Sequence, residues 1–451
     1  MGGTEQADGA REGVRLSAVS ALREETVELL QALIRIDTVN PPGNETAAAE
    51  LLRDYLAESG VESELYAREP SRANLVARIP GRGGGPRLAL LSHTDTVLAD
   101  PMEWTVDPWS GELRDEEVWG RGALDMKGQV AASAVALASL AREGFRPNGD
   151  LIFVAAADEE VGADVGLQWL VREHPEAARA EYALNEGGGD RVVVGDRPIW
   201  LCSVAEKMSS PFRLLVRGRS GHASMPGIAD NALVKAAPLI QRLAAFRPHP
   251  VVGPEVEAFL EAVLAEVPPP EEVLDRLAAL DPHAAALVEP LLSLTVSPTM
   301  ISASEKRNVI PAVCEVTVDC RLLPGQTQAE AEEELRAALG EGDYDVVFTE
   351  GHGGTRSPAG GALWDAVASF VAAQEPEAAA VPYVLPGFTD SHWMREAYGT
   401  VAYGFFPMRA MDATLAATLV HSADERAHVA DLELGVEFLR HAARHVGALD
   451  K

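Results

Sequence analysis

The sequence predicts an α/β catalytic domain, built on a mostly parallel sheet, that is interrupted by a smaller inserted domain. Between residues 74 and 184, short apolar runs alternate with segments whose apolar residues recur at helical spacing, as in successive βαβ units. From about Lys207 the order becomes β-α-β-β-α-β, which is typical of a ferredoxin-like domain. We therefore predict a catalytic domain at 1–206 and 353–451, with the inserted domain at 207–352.

The first part of the catalytic domain is predicted from apolar periodicity. Helices are expected near 17–36, 46–59, 128–142 and 164–172. Strands are expected near 74–79, 87–91, 151–156 and 182–184. Residues 1–16 are predicted to form a disordered tail.

The inserted domain and the end of the chain follow from the same patterns. Within the insertion, strands are expected at 211–217, 299–302, 312–320 and 345–349, and helices at 230–246 and 328–339. The long connection around Pro268-Pro269-Pro270 is too long for a simple loop, and we predict that it adds a helical element. After the insertion we expect helices at 363–374 and 431–446 and strands at 380–384 and 400–404.

Composition limits the classes of partner. The 451 residues carry 69 acidic and 38 basic side chains, a net charge of −31, which argues against nucleic acid or anionic membrane as a partner. A solvated acidic surface is the preferred explanation of this charge, and attraction of cations is the alternative. The three cysteines form no disulfide framework, and no apolar run reaches the roughly 18 residues of a membrane span. We predict a cytoplasmic protein.

Acidic side chains at a strand end indicate a metal site. Asp158, Glu159 and Glu160 directly follow the apolar run at 151–156, and adjacent carboxylates repel one another and resist burial unless cations compensate them. Other candidate site residues lie at predicted strand ends and loops. They are His93, Asp95, Asp125, Glu186 and His421.

Each of these residues alone is a weak signal, but together they form a donor set. Asp95 lies two residues after His93, and an imidazole that binds zinc through one nitrogen needs a partner for the other, so we predict that Asp95 orients His93. Asp125 could be only a helix cap, although the nearby Gly128 lets the backbone approach a ligand closely. Two histidines, Asp125 and two glutamates can hold two zinc ions about 3.5–4 Å apart.

Six segments resemble the zinc aminoacylase and carboxypeptidase family M20, which includes aminoacylase-1, succinyl-diaminopimelate desuccinylase and glutamate carboxypeptidase types. They lie at 92–95, 122–128, 158–162, 185–187, 220–226 and 421–426. They include Ser92-His93-Thr94-Asp95 and Asp158-Glu159-Glu160. The resemblance spans nearly the whole chain in the family's order.

The resemblance implies a role for each residue of the donor set. Asp125 would bridge two zinc ions, with His93 and Glu186 completing one site and Glu160 and His421 the other. Glu159 would be the general base that activates a metal-bridging water, in agreement with the divergent directions of adjacent residues at a strand end. His352 and His392 are alternatives to His421 as the last ligand. Cobalt or manganese could replace zinc at such donors.

The resemblance also implies residues that contact the substrate. His222, in the inserted domain, would reach the active site of the partner subunit in a homodimer joined through 207–352, and stabilise the oxyanion. An exposed loop histidine is the alternative. Asn308, Arg321 and Thr389 would contact the substrate, although Arg321 could instead pair with a surface acid.

The expected activity is hydrolysis of an amide or peptide bond in an N-acyl amino acid, a dipeptide or a short peptide, by two zinc ions. A protein that binds metal and ligand on the same scaffold without turnover is the alternative. Glu159 beside Glu160 argues against that alternative, because a binding protein has no need of a base.

Overall fold

The computed structural model describes residues 21–349 and 351–450. They form two units. The sheet unit comprises 21–203, Ser357–Val381 and 393–450, and the inserted unit comprises Val204–Arg356 and Pro382–His392. The predicted tail at 1–16 and the start of the predicted first helix lie outside the described residues.

The helices and strands are as follows. The helices are α1 (21–34), α2 (Glu45–Glu58), α3 (Lys127–Arg142), α4 (Leu167–Glu173), α5 (Pro175–Ala178), α6 (Ala232–Ala245), α7 (Pro254–Leu264), α8 (Val273–Leu280), α9 (Pro282–Val288), α10 (Gln328–Leu339), α11 (Ala362–Gln374), α12 (Ser391–Tyr398), α13 (Ala413–Leu419) and α14 (Val429–Gly447). The strands are β1 (Glu62–Ala67), β2 (Ala73–Ile79), β3 (Leu88–His93), β4 (Glu112–Arg114), β5 (Glu117–Trp119), β6 (Leu151–Ala156), β7 (Tyr182–Asn185), β8 (Arg191–Val194), β9 (Arg197–Glu206), β10 (Met208–Ser209), β11 (Phe212–Arg217), β12 (Gly221–His222), β13 (Thr295–Ser302), β14 (Val309–Ile310), β15 (Val313–Leu322), β16 (Tyr344–Phe348), β17 (Ala379–Leu385), β18 (Val401–Gly404) and β19 (Arg426–His428).

The central sheet has the order β1-β2-β6-β3-β7-β18-β9-β17, with β8 paired to β9. Its four middle strands, β6, β3, β7 and β18, are parallel, whereas β1, β2 and β9 run antiparallel to their neighbours. The prediction of a mostly parallel sheet in an α/β domain is confirmed.

The register of the middle strands brings their carboxyl ends to one edge. Leu88 pairs with Leu151 and His93 with Ala156, so the chain leaves β3 and β6 side by side. Both strands are wholly buried because apolar residues face the layers on both sides of a parallel sheet. This edge is where α/β sheets place their ligands.

Helix α3 covers the sheet behind this edge. Its alanine-rich residues 127–140 are all buried, because it packs against β3, β6 and α14. Small side chains allow this close packing, and at Gly128 a Cβ atom would lie 2.4 Å from the Ala123 carbonyl oxygen. Only glycine fits at this position, directly after the loop that carries Asp125.

The inserted unit has the predicted ferredoxin-like fold. Its sheet runs β13-β15-β11-β16, all antiparallel, with β10 also paired to β15. Strand β15 lies between β11 and β13, which α6 connects, as in a split βαβ motif. Helices α7, α8 and α9 form the helical addition predicted for the long connection.

The boundaries of the inserted unit differ from the predicted 207–352. The unit begins at Val204, ends at Arg356 and adds 382–392, a segment predicted to belong to the catalytic domain. The reason is local hydrogen bonding: Lys207 N donates to Leu385 O at 2.9 Å, and Thr389 N donates to a carboxylate oxygen of Glu206 at 3.1 Å.

Several strands were not predicted. Strand β1 is an edge strand whose mixed sequence, with Glu62 and Glu64, has no clean alternation. Strand β9 is different, because residues 199–205 are an almost uninterrupted apolar run that is fully buried, a pattern typical of a core strand.

Among the described residues, no helix has the length and apolar character needed to cross a membrane.

Candidate metal centre

Two groups of potential metal ligands share one residue in the sheet unit. His93, Asp125 and Glu186 form the first group, and Asp125, Glu160 and His421 form the second. In each group the ligand atoms lie within 4.8 Å of one another. These are five of the residues selected from the sequence, and they come from five separate segments of the chain.

His93 is the buried member of the first group. Its Nε2 atom lies 3.1 Å from Asp125 Oδ1 and 3.7 Å from Glu186 Oε1, while Nδ1 faces Asp95. Burial lowers the pKa of His93, but the charge of Glu186 and the hydrogen bonds with Asp125 and Asp95 outweigh it and raise the pKa well above its usual value. Each nitrogen of the His93 imidazole therefore faces at least one carboxylate.

His421 is the more open member of the second group. Its Nε2 atom lies 3.0 Å from Asp125 Oδ2 and 3.2 Å from Glu160 Oε2, and 51% of its side chain is exposed. Hydrogen bonds with Asp125 and Glu160 raise the pKa of His421 to about 10. Each oxygen of Asp125 thus faces a different histidine.

The carboxylates of the two groups have too little positive charge around them to compensate all of their oxygens. The pKa of Glu186 is raised to about 7, chiefly by burial and also by the charges of Asp125 and Glu160, against the opposing effect of His93. Burial also disfavours ionised Asp125, yet hydrogen bonds with His421 and His93 hold its pKa well below the usual value. In the described part of the chain, no donor reaches the buried Oε1 of Glu160. Divalent cations would satisfy these oxygens.

Asp95 positions the turn that carries the two glutamates. Its carboxylate is fully buried and accepts hydrogen bonds from Glu159 N at 3.1 Å, Glu160 N at 3.2 Å and Asn40 Nδ2 at 2.9 Å. It also faces His93, with 3.4 Å between Asp95 Oδ1 and His93 Nδ1. One anion therefore holds both a histidine of the first group and the backbone of the second.

A second layer of buried groups was not anticipated. Asp158, at a left-handed φ of 67°, accepts from Asn40 Nδ2 at 2.9 Å and Arg72 Nη2 at 2.8 Å. Arg72 binds Glu45 through two nitrogens, at 2.6 and 2.7 Å. Asp158 was noted in the sequence as one of three strand-end acids, but Asn40, Arg72 and Glu45 were not selected as site residues. The partners lie far apart in sequence, so spacing alone does not reveal them.

The remaining predicted residues belong to the inserted unit. They are His222, Asn308, Arg321 and Thr389, with the alternative ligands His352 and His392. His222 and Asn308 are neighbours, because β12 pairs with β14 and Ala223 N donates to Asn308 O at 3.0 Å. Arg321 pairs with Asp319 through two contacts of 3.1 Å, and Thr389 is bound to Glu206.

The model of Peptidase family M20/M25/M40 matches residues 89–445, and the chain belongs to this family.

Its curated relatives include an N-fatty-acyl-amino acid synthase/hydrolase and succinyl-diaminopimelate desuccinylases. The chain is 29% identical over 340 residues to N-fatty-acyl-amino acid synthase/hydrolase PM20D1 of Xenopus tropicalis, covering 68% of this chain and 64% of that protein. It is 27% identical over 425 residues to succinyl-diaminopimelate desuccinylase of Cereibacter sphaeroides, covering 90% and 95%. The chain thus spans less than two thirds of the PM20D1 relative.

Solved structures show the same fold. An M20 family metallo-carboxypeptidase, Sso-CP2, from Sulfolobus solfataricus matches with a TM-score of 0.72 at 18% identity, covering 94% of this chain and 100% of that one. The Bacillus subtilis YXEP protein, described as a dinuclear metal binding peptidase, matches with a TM-score of 0.60 at 13% identity, covering 95% and 99%. The predicted fold class and family are confirmed.

The shared position of Asp125 leads to a prediction about metal content. Asp125→Ala leaves each ligand group with two donors, so we expect the variant to lose metal from both groups and activity with it. Elemental analysis after dialysis measures this loss. Asp54→Ala, which removes an exposed carboxylate, is the control and should retain the wild-type metal content. An Asp125→Ala protein with wild-type metal content would contradict the shared role.

Proposed function

We propose that this chain is a dinuclear zinc enzyme that hydrolyses the amide or peptide bond of an N-acyl amino acid, a dipeptide or a short peptide. The observation that carries the proposal is Asp125, whose two oxygens face two histidines in two ligand groups. A carboxylate with one oxygen toward each site is suited to bridging two cations.

The donor set would divide between the two ions around this bridge. His93 and Glu186 would hold one zinc ion, and Glu160 and His421 would hold the other. When bound, paired zinc ions polarise a carbonyl group and lower the pKa of water. Cobalt or manganese are alternatives, because nitrogen and oxygen donors accept several divalent metals.

Glu159 is the proposed general base. It opens the short 3-10 turn Glu159–Val161 beside Glu160, and it belongs to neither ligand group. Asp95 accepts hydrogen bonds from the backbone amides of Glu159 and Glu160. The two side chains therefore project individually from one fixed turn. Glu159 would take a proton from the attacking water and return it to the leaving nitrogen.

His222 is the proposed donor to the oxyanion. Ser224 N donates to His222 Nδ1 at 3.3 Å, and Ser224 Oγ lies 2.8 Å from the same atom. Because Nδ1 accepts the backbone hydrogen bond, the neutral ring carries its proton on Nε2. An exposed Nε2–H group is the kind of donor that stabilises charge developing on a carbonyl oxygen.

A homodimer through the inserted unit is supported by apolar surface. Strand β13 exposes Met300 and Ile301, at 68% and 53%, and α6 exposes Leu233 and Val234, at 42% and 64%. In the described sheet, β13 pairs only with β15, so its other edge is open. Open edges and clustered apolar side chains favour association with a second copy.

The substrate class is proposed from the relatives and from the polar groups near His222. The names of the relatives include N-fatty-acyl-amino acid and succinyl-diaminopimelate as the compounds acted on. Asn308 lies beside His222 and is a proposed substrate contact, as is Thr389. Arg321 would have to exchange Asp319 for a substrate carboxylate, which a bidentate guanidinium can do.

Glu159→Gln tests the proposed reaction. The amide keeps the size of the side chain but cannot accept the proton, so we expect turnover to fall roughly 10²–10⁴-fold with metal content unchanged. Amine release is measured over a panel of N-acyl amino acids and dipeptides, with added zinc and with a chelator.

The matched control is Glu173→Gln, an exposed acid at the end of α4, which should retain wild-type turnover. Full metal content with near-normal turnover in Glu159→Gln would exclude Glu159 as the base. No amine release by the zinc-loaded wild-type protein across the panel would favour the alternative of a binding protein without turnover.

Subunit complementation tests whether His222 serves the partner's site. His222→Ala lacks the donor and Glu159→Gln lacks the base, so a mixed dimer would contain one site with both groups. We expect mixing the two inactive variants under conditions of subunit exchange to restore activity, up to about half the wild-type rate per heterodimer. Initial rates are measured, with size-exclusion chromatography to establish the dimer.

The control mixes Glu159→Gln with the double variant Glu159→Gln/His222→Ala, which leaves every site without a base. That mixture should stay inactive. Heterodimers of the two single variants that form without recovered activity would show that His222 does not act in the partner's site.

A further inference from the structure

A buried carboxylate outside both ligand groups holds the loop that carries Asp125. Glu425 is fully buried. Its Oε1 atom accepts hydrogen bonds from Leu124 N at 2.8 Å and Asp125 N at 3.0 Å. Its Oε2 atom accepts from Gly122 N at 3.1 Å and from Arg121 Nη1 at 2.6 Å. All four bonds reach one stretch of chain, residues 121–125.

Glu425 lies four residues after His421 and about 300 residues from the loop that it binds. Its own carbonyl oxygen also accepts from Gly120 N at 2.9 Å. The segment that supplies His421 is therefore attached, through one side chain, to the backbone amide of the residue that faces His421 across 3.0 Å. Asp125 and His421, which are far apart in the sequence, are thus connected through Glu425 into one hydrogen-bonded unit.

Arg121 supplies the buried cation that pairs with Glu425. Arg121 is 3% exposed, donates its Nη2 to Leu98 O at 3.2 Å and packs its guanidinium 5.3 Å from the Trp104 ring. Arg121 is thus committed to Glu425 and its surroundings. The hydrogen bonds from a guanidinium and three backbone amides to this buried carboxylate are charge-assisted. They fix the orientation of the Glu425 side chain.

We propose that Glu425 is a positioning residue of the metal centre, which fixes the Asp125 carboxylate between His93 and His421 by holding the Asp125 backbone. This inference rests on the proposed function, because it assigns Asp125 to the metals. Groups that orient a ligand commonly change metal affinity about 10–100-fold when they are removed. Since Asp125 belongs to both ligand groups, both metals should be affected.

Asp431 provides a matched control for the loss of a buried carboxylate. It is 4% exposed and accepts from the backbone amides of Arg409, Ala410 and Met411, at 2.7 to 2.8 Å. Like Glu425, it binds successive amides of a loop, but those amides belong to none of the candidate ligands. Asp431→Asn therefore reports the effect on stability alone.

The test compares the zinc affinities of wild-type, Glu425→Gln and Asp431→Asn proteins, measured by competition with a chromophoric chelator. Thermal unfolding of the same metal-free proteins is measured in parallel. In Glu425→Gln the amide offers one acceptor oxygen and places an NH₂ group among donors, so we expect the zinc affinity to fall roughly 10–100-fold. Asp431→Asn should lower the unfolding temperature and leave the zinc affinity as in the wild type.

Unchanged zinc affinity in folded Glu425→Gln would overturn the proposal, as would an equal loss of affinity in Asp431→Asn. If Glu425→Gln does not fold, Glu425→Asp is measured, whose shorter side chain cannot reach Arg121 and all three amides together. Its affinity should also fall, and an unchanged value would overturn the proposal. Uptake of a single zinc ion by the wild type would contradict the dinuclear centre, whereas the ratio of affinities for that ion would still test Glu425.

Discussion

The concentration of negative charge at one edge of the sheet is the constraint on which the site depends. Parallel strands β3, β6 and β7 end together, so His93, Glu160 and Glu186 emerge close to one another. The loop before α3 adds Asp125 to them. Buried carboxylates at this spacing are stable only with compensating cations. The imidazoles of His93 and His421 face these oxygens, and divalent cations would supply the compensating charge.

Two buried carboxylates hold the charged site in place in the same way, by accepting hydrogen bonds from backbone amides. Asp95 binds the amides of Glu159 and Glu160, and Glu425 binds those of Leu124 and Asp125. Neither carboxylate belongs to a ligand group. Each fixes the backbone from which ligands project, so the ligand side chains remain available for metal. Rigid support of this kind is what a site needs when its geometry must be correct before the reaction begins.

Much of the fold and of the candidate site could be predicted from local sequence patterns. The parts that depend on contacts between distant residues could not. The middle strands and the ferredoxin-like order were predictable because buried strands are short apolar runs between turns, and β9 had the same signal although it was not predicted. The five candidate ligands were found because motifs at strand ends are local. The role of Glu425 could not be predicted from spacing, since its partners lie about 300 residues away. The pairing of Arg321 with Asp319 was left as an alternative, because sequence does not show which strand neighbours form ion pairs.

Asp125 is proposed to lie between two metal ions, and anomalous diffraction at the zinc edge would locate those ions. Crystals of the zinc-loaded protein should show two anomalous peaks, one on the side of His93 and one on the side of His421, about 3.5–4 Å apart with Asp125 between them. A single peak, or a second peak away from the Asp125 carboxylate, would contradict the account.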